Sequence, residues 1–217
     1  MTGRLGHLKN QEVTKLSNAD FKQKAKEYLR TIHAEILDLA TDSDIFWRFQ
    51  KEVMQRNARL LEIRSPFIDM LNRSYAHATA ARIRRLTDRH KDCISLAKLL
   101  DELQNHPALL IRQLGVENMV IRVSRGELQK DLMDLDAACR PVTDYVDKHV
   151  AHHDKRPRSA VPKHRDVNAA IDKLIEIFKK YYTLLIGSDT DVVVSYLEGP
   201  LAVFRFAWLP EESTTSR

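Results

Sequence analysis

Along most of the chain, apolar residues recur at steps of three and four, the repeat of one helix face. The longest run falls at Leu128, Leu132, Leu135, Cys139, Val142 and Val146, and His149 and His153 continue the same line. It predicts a helix from Arg125 to about Asp154, opened by a capping box of Ser124 and Glu127. Pro141 lies inside it, where a lost hydrogen bond and a crowded carbonyl predict a kink. Earlier, Ser17 or Asn18 is placed to cap a helix with Phe21, Ala25, Tyr28, Ile32, Ile36 and Leu39 on one face. A separate helix is expected to start near Asp44 and to carry Ile45, Phe49, Val53 and Leu60.

Ser65 and Pro66 restart the chain, Pro suiting the first helical position, and the next face reads Phe67, Leu71, Tyr75, Ala78 and Arg82 toward Leu86. Its small-sided middle, Ala76 to Ala81, lets a neighbour approach closely, so this helix is expected to lie centrally. A short helix from Ser95 to Leu103 is limited by Pro107, and the stretch around Gly115 reads as a connection. The last strong helix begins at Asp166, turns Ile171, Leu174, Phe178, Tyr181 and Leu185 to one side, and is closed by Gly187. Beyond it, Val, Phe, Tyr and Trp around Glu198-Gly199-Pro200 predict a short β-hairpin. The sum is an all-α bundle of five or six long helices spanning 17–187, with a loose arm at 1–16 and an extension at 188–217.

Composition agrees with that class. Six Gly and seven Pro in 217 residues are few for an all-β chain that needs many tight turns. No apolar run has the length of a membrane span and the first thirty residues hold no signal-peptide core, so a cytoplasmic protein is expected. Two cysteines make neither a disulfide framework nor a metal-ligand spacing, which fits a reducing compartment.

Charge sharpens the picture once it is located. The net +5 is concentrated in two stretches, a local +4 from Arg82 to Lys91 and a local +5 from Lys148 to Arg165, leaving the remainder at −4. Two basic patches suit a polyanion, and RNA is the partner expected. The plain alternative is that solvated helix ends collect Lys and Arg. Beside the second patch lie His149, His152 and His153 with Asp147 and Asp154. His149 and His153, four apart, have the spacing to share Zn²⁺, but no Glu follows the first His as in zinc proteases, and no metal or other cofactor is expected.

Three segments carry a resemblance: Ser74-Tyr-Ala-His-Ala-Thr-Ala-Ala-Arg-Ile-Arg-Arg-Leu-Thr-Asp88, Ser95-Leu-Ala-Lys-Leu-Leu100 and Asp147-Lys-His-Val-Ala-His-His-Asp154. Over roughly Lys24 to Leu185 the chain resembles the abortive-infection branch of the HEPN superfamily, the AbiU-type HEPN-like proteins. The resemblance implies a helical bundle, often dimeric, from prokaryotic toxin and phage-defence systems, and a homodimer with a cognate protein partner is expected. Many relatives are metal-independent RNases whose motif is an Arg, a polar residue, and a His four to six positions after the Arg. Here the histidine falls on His152 and the polar residue on Asp147, but the arginine position is Val146. Other pairs meet the bare spacing, Arg84 or Arg85 with His90 and Arg158 with His164.

The departure at Val146 bears on chemistry. Metal-free RNA cleavage needs proton transfer, which His152 can supply, and a cation on the phosphate as charge builds, which arginine supplies with two parallel hydrogen bonds. Without it the expected function is RNA binding with weak or absent cleavage. The alternatives are an active endoribonuclease with His152 as general acid/base and its cation supplied from elsewhere, and a non-catalytic protein-interaction module. Arg82, Arg84, Arg85, Lys148, Lys155, Arg156 and Arg158 are the expected RNA contacts. On sequence alone, Val146→Arg should restore cleavage.

Overall fold

The computed structural model describes residues 17–62, 65–113, 120–150, 161–188, 190–192, 194–196 and 199–205. The first helix, α1, runs unbroken over Asn18–Arg48 and continues as a π-helical turn, Phe49–Met54. Ser17 caps it, its hydroxyl accepting from the Asp20 amide. The separate helix expected near Asp44 does not exist, and the reason is where the intervening polar groups go. Asp42 accepts from Arg82 at 2.5 Å, the Ser43 hydroxyl accepts from Tyr75 at 3.4 Å, and Asp44 accepts from Arg48 at 2.7 Å and Tyr196 at 3.0 Å. Side chains so engaged stop competing for the helix backbone, and neither Gly nor Pro between Leu39 and Phe49 forces it to break.

After the short α2, Ala58–Glu62, helix α3 spans Pro66–Leu86 with Pro66 in its first turn. Its buried face is Thr79, Ala80, Ile83 and Leu86, one position on from the predicted line, and Phe67 at its start is 47% exposed. One position is about 100° of rotation. Only the C-terminal half of α3 enters the core, while Arg82 on the predicted line turns to the carboxylates of α1. The helix is nevertheless central, touching α1 and the two later long helices.

Helix α4, Leu96–Leu103, is capped by the Ser95 hydroxyl and buries five of its eight side chains. A 3-10 turn, Pro107–Leu110, then leads into an antiparallel ribbon of β1, Ile111–Gln113, and β2, Val120–Arg122, where the sequence pattern predicts only a connection. Helix α5, Arg125–Tyr145, opens on the predicted capping box, runs through Pro141, and changes to π pitch over Val146–Val150. Helix α6, His164–Ile186, ends at Gly187, whose φ of 86° lies in the left-handed region that glycine adopts without strain. Arg112 from the ribbon donates to the Leu185 carbonyl at 2.7 Å and so caps the same helix end with a cation.

The core is the meeting of α1, α5 and α6, closed by α4 and the end of α3. Leu128, Leu132, Leu135, Cys139, Val142 and Val146 are all buried, as their periodicity predicts, in the same core as Phe178 and Tyr181 of α6. Tyr181 satisfies its buried hydroxyl by donating to Asp131 at 2.8 Å. Near Gly199 the described backbone coils where a hairpin was expected: Ala202 bonds back to Gly199, Phe204 to Leu201, and Ala202–Arg205 is a 3-10 helix. Bonds three residues apart turn the chain on itself and leave no ladder to extend. This stretch lies over α1 and α3, with Leu201 and Phe204 near Phe46, Phe49 and Tyr75. Among the described residues no helix is long and apolar enough to cross a membrane.

Candidate functional site

One residue after each of the buried Leu135, Cys139, Val142 and Val146 comes a second stripe, Asp136, Arg140, Thr143 and Asp147, with Asp144 beside it. A helix that turns Leu135, Cys139, Val142 and Val146 into the core must bring this polar stripe to the core's edge. Opposite it stands the end of α3, Arg84 and Thr87, and the loop that follows, Asp88 and Arg89. Between them is a cleft of about 360 Å³ with Cys139 at its buried floor.

The loop is pinned from several sides. Thr87 folds its hydroxyl onto the Ile83 carbonyl at 3.0 Å, Asp88 accepts the His90 amide at 2.9 Å, and Ser95 donates to the Asp88 carbonyl while capping α4. Two ion pairs then cross the cleft. Arg84 Nε donates to Asp147 Oδ1 at 2.8 Å, with its Nη1 3.6 Å from Asp88, and Arg89 donates to Asp136 at 2.7 Å. The hydrogen bond that Arg84 donates to Asp147, with the charges of Asp147 and Asp88, raises the Arg84 pKa further above its already high value, so it stays cationic. Burial pushes the Cys139 thiol up to about 12, which keeps the floor of the cleft protonated and unreactive.

The lining therefore sets three guanidiniums, Arg84, Arg89 and Arg140, against four carboxylates, Asp88, Asp136, Asp144 and Asp147. Such a surface is not simply cationic. Two of its arginines are already engaged, and a phosphate reaching them must compete with a carboxylate.

The expected site residues distribute unevenly. Asp147 and Arg84 meet in the cleft, although they are 63 positions apart in sequence. Arg85 turns away to Glu35 at 2.7 Å and Arg82 to Asp42, so both brace α3 against α1. Lys148 is half-buried in the π turn and does not line the cleft. His90 lies exposed in the loop with its ring against Asp92. Val146 is 6% exposed and packs in the core, so the motif's arginine position faces inward here. His152, His153, Lys155, Arg156 and Arg158 lie outside the described residues, as does the side chain of His149. Among the described residues no group of three His, Cys, Asp or Glu is placed to hold a metal ion.

The sequence pattern does not single out Asp136, Arg140, Thr143 or Asp144, and Arg89 enters only as one member of the basic stretch from Arg82 to Lys91. The signal for Asp136, Arg140 and Thr143 is present in the sequence: a polar line in phase with the apolar line, displaced by one residue. Arg89 had no such signal, because its place depends on how the loop after α3 folds back.

In comparison with known proteins, the family model HEPN_AbiU2, described as AbiU2, matches residues 22–199. No curated protein and no solved structure matches.

Proposed function

This chain belongs to the HEPN_AbiU2 family of HEPN-type abortive-infection proteins, and from that premise we propose that it binds RNA and cleaves it weakly or not at all. The observation that carries the reading is the direction of Val146. A motif arginine at that place would have to leave the core to reach a phosphate, and a buried valine offers no charge to a developing anion. Loss of one such contact costs roughly a hundredfold to a thousandfold in rate. Binding depends on many cations acting together through counterion release, and so survives the loss better. Lys155, Arg156 and Arg158 contribute to that binding, His152 and Asp147 mark the remnant of the catalytic motif, and the protein works in the cytoplasm as a homodimer with a cognate partner.

The test is direct. The purified protein should retain single-stranded RNA with an affinity that falls steeply with salt, while RNA incubated with it in EDTA stays largely intact and His152→Ala changes nothing. Charge reversal at Arg156 and Arg158 should weaken binding and flatten its salt dependence. Light scattering at tens of micromolar should report a dimer; a monomer counts against the association. Rapid cleavage that vanishes in His152→Ala would sink the binding-only reading.

That outcome would favour an active RNase, and one observation speaks for it. Arg84 already touches the motif's polar residue, Asp147, from another helix. On that reading Arg84→Gln abolishes cleavage as completely as His152→Ala.

A further inference from the structure

The three cleft arginines differ in what holds them. Arg84 is bound to Asp147 and stands near Asp88, and Arg89 is bound to Asp136. Arg140 is exposed and lies between them on the polar face of α5, with carboxylates four residues away on either side, Asp136 and Asp144, yet it makes no ion pair among the described residues. Asp136 is occupied by Arg89, and the Thr143 hydroxyl is turned down onto the Arg140 carbonyl at 3.2 Å.

Resting on the RNA-binding reading above, we infer that a phosphodiester of single-stranded RNA seats first on Arg140, and that Arg84 and Arg89 serve as struts holding the cleft open. A phosphate that takes Arg84 must break a charge-assisted hydrogen bond and then sit beside the freed carboxylate of Asp147. A phosphate that takes Arg140 breaks no ion pair and meets a planar fork suited to two parallel hydrogen bonds. The space decides the form of the RNA. A cleft of about 360 Å³ is at the small end of ligand pockets, room for about one nucleotide's phosphate and sugar, which suits a segment of one strand.

The experiment is fluorescence anisotropy of a labelled oligouridylate with the full chain over a range of salt, comparing Arg140→Gln, Arg84→Gln, Arg89→Gln and Arg140→Lys. Arg140→Gln should weaken binding about tenfold and lower the slope of log affinity against log salt by about one. The Arg84 and Arg89 variants should each change affinity less than about threefold but lower the melting temperature slightly, since each removes a part-exposed ion pair across the cleft. Arg140→Lys should keep the salt slope while losing part of the affinity, because charge remains and the fork is gone. If Arg84→Gln weakens binding as much as Arg140→Gln, or if Arg140→Gln binds like the unmodified protein, the assignment of Arg140 is wrong. In either case RNA binding itself stands. Failure of the unmodified protein to bind any RNA removes both.

Discussion

At the scale of single residues, the cleft is governed by which charges are already paired. Asp147→Asn releases Arg84 and removes one negative charge, so RNA affinity and its salt slope should both rise. The rise should exceed that of Asp134→Asn, an equal charge change elsewhere on α5, and should disappear when Arg84→Gln is added. Equal gains from both asparagine variants would mean that Arg84 is not held back by its carboxylate. Val146→Arg, which the motif alone recommends, is a different experiment in the folded protein. It puts a guanidinium into a position that is 6% exposed, and an unpaired buried charge destabilises by about 3 kcal/mol or more. The expected result is a sharply lower melting temperature and no gain in cleavage. The two cysteines should also separate. Cys93, partly exposed, should react with a thiol reagent at pH 8 in the native protein, whereas Cys139, buried and pushed up to about 12, should react only after denaturation.

At the scale of elements, the ends of α5 and α6 are the places to probe. The Glu127 carboxyl in the capping box is held below its usual range by the hydrogen bond from the Ser124 amide. The folded state therefore binds its proton less readily than the unfolded chain. The stability from this contact is full above the unfolded value of 4.5 and is lost as pH falls through the lower folded value. Ser124→Ala should cost about 1 kcal/mol at neutral pH, read as a lower midpoint in urea. At Gly187 the left-handed φ and the Arg112 guanidinium act together, because a Cβ there would collide with the side chain that caps α6. Gly187→Ala should destabilise by at least about 1 kcal/mol. Making Arg112→Ala in the same chain should recover part of that loss if the collision, and not the backbone alone, is responsible. These ends were legible in the sequence, since Ser124 and Glu127 are three apart and Gly follows the last apolar position of α6. The continuity of α1 was not. What keeps Thr41 to Asp44 helical is Arg82, Tyr75 and Tyr196, and the nearest of these is 32 positions away.

At the scale of the whole molecule, sequence alone specified the bundle because burial repeats locally, and left the cleft half-drawn because ion pairs do not. The line from Leu128 to Val146 states its own face, whereas nothing near Asp147 announces Arg84. The π turn at Val146–Val150 adds a reason why motif spacing translates poorly into geometry. An extra residue in a helix must either swing everything beyond it by about 100° or be taken up in a wider turn. The last described turn of this helix is of the wider kind. Lengthening or shortening the gap between the arginine and histidine positions there need not disturb the register of α5 against α6, which is fixed upstream at Cys139 and Val142. A lineage can therefore gain or lose one residue at this place and keep the same core, so that alignments in this stretch should show gaps where the bundle on either side shows none.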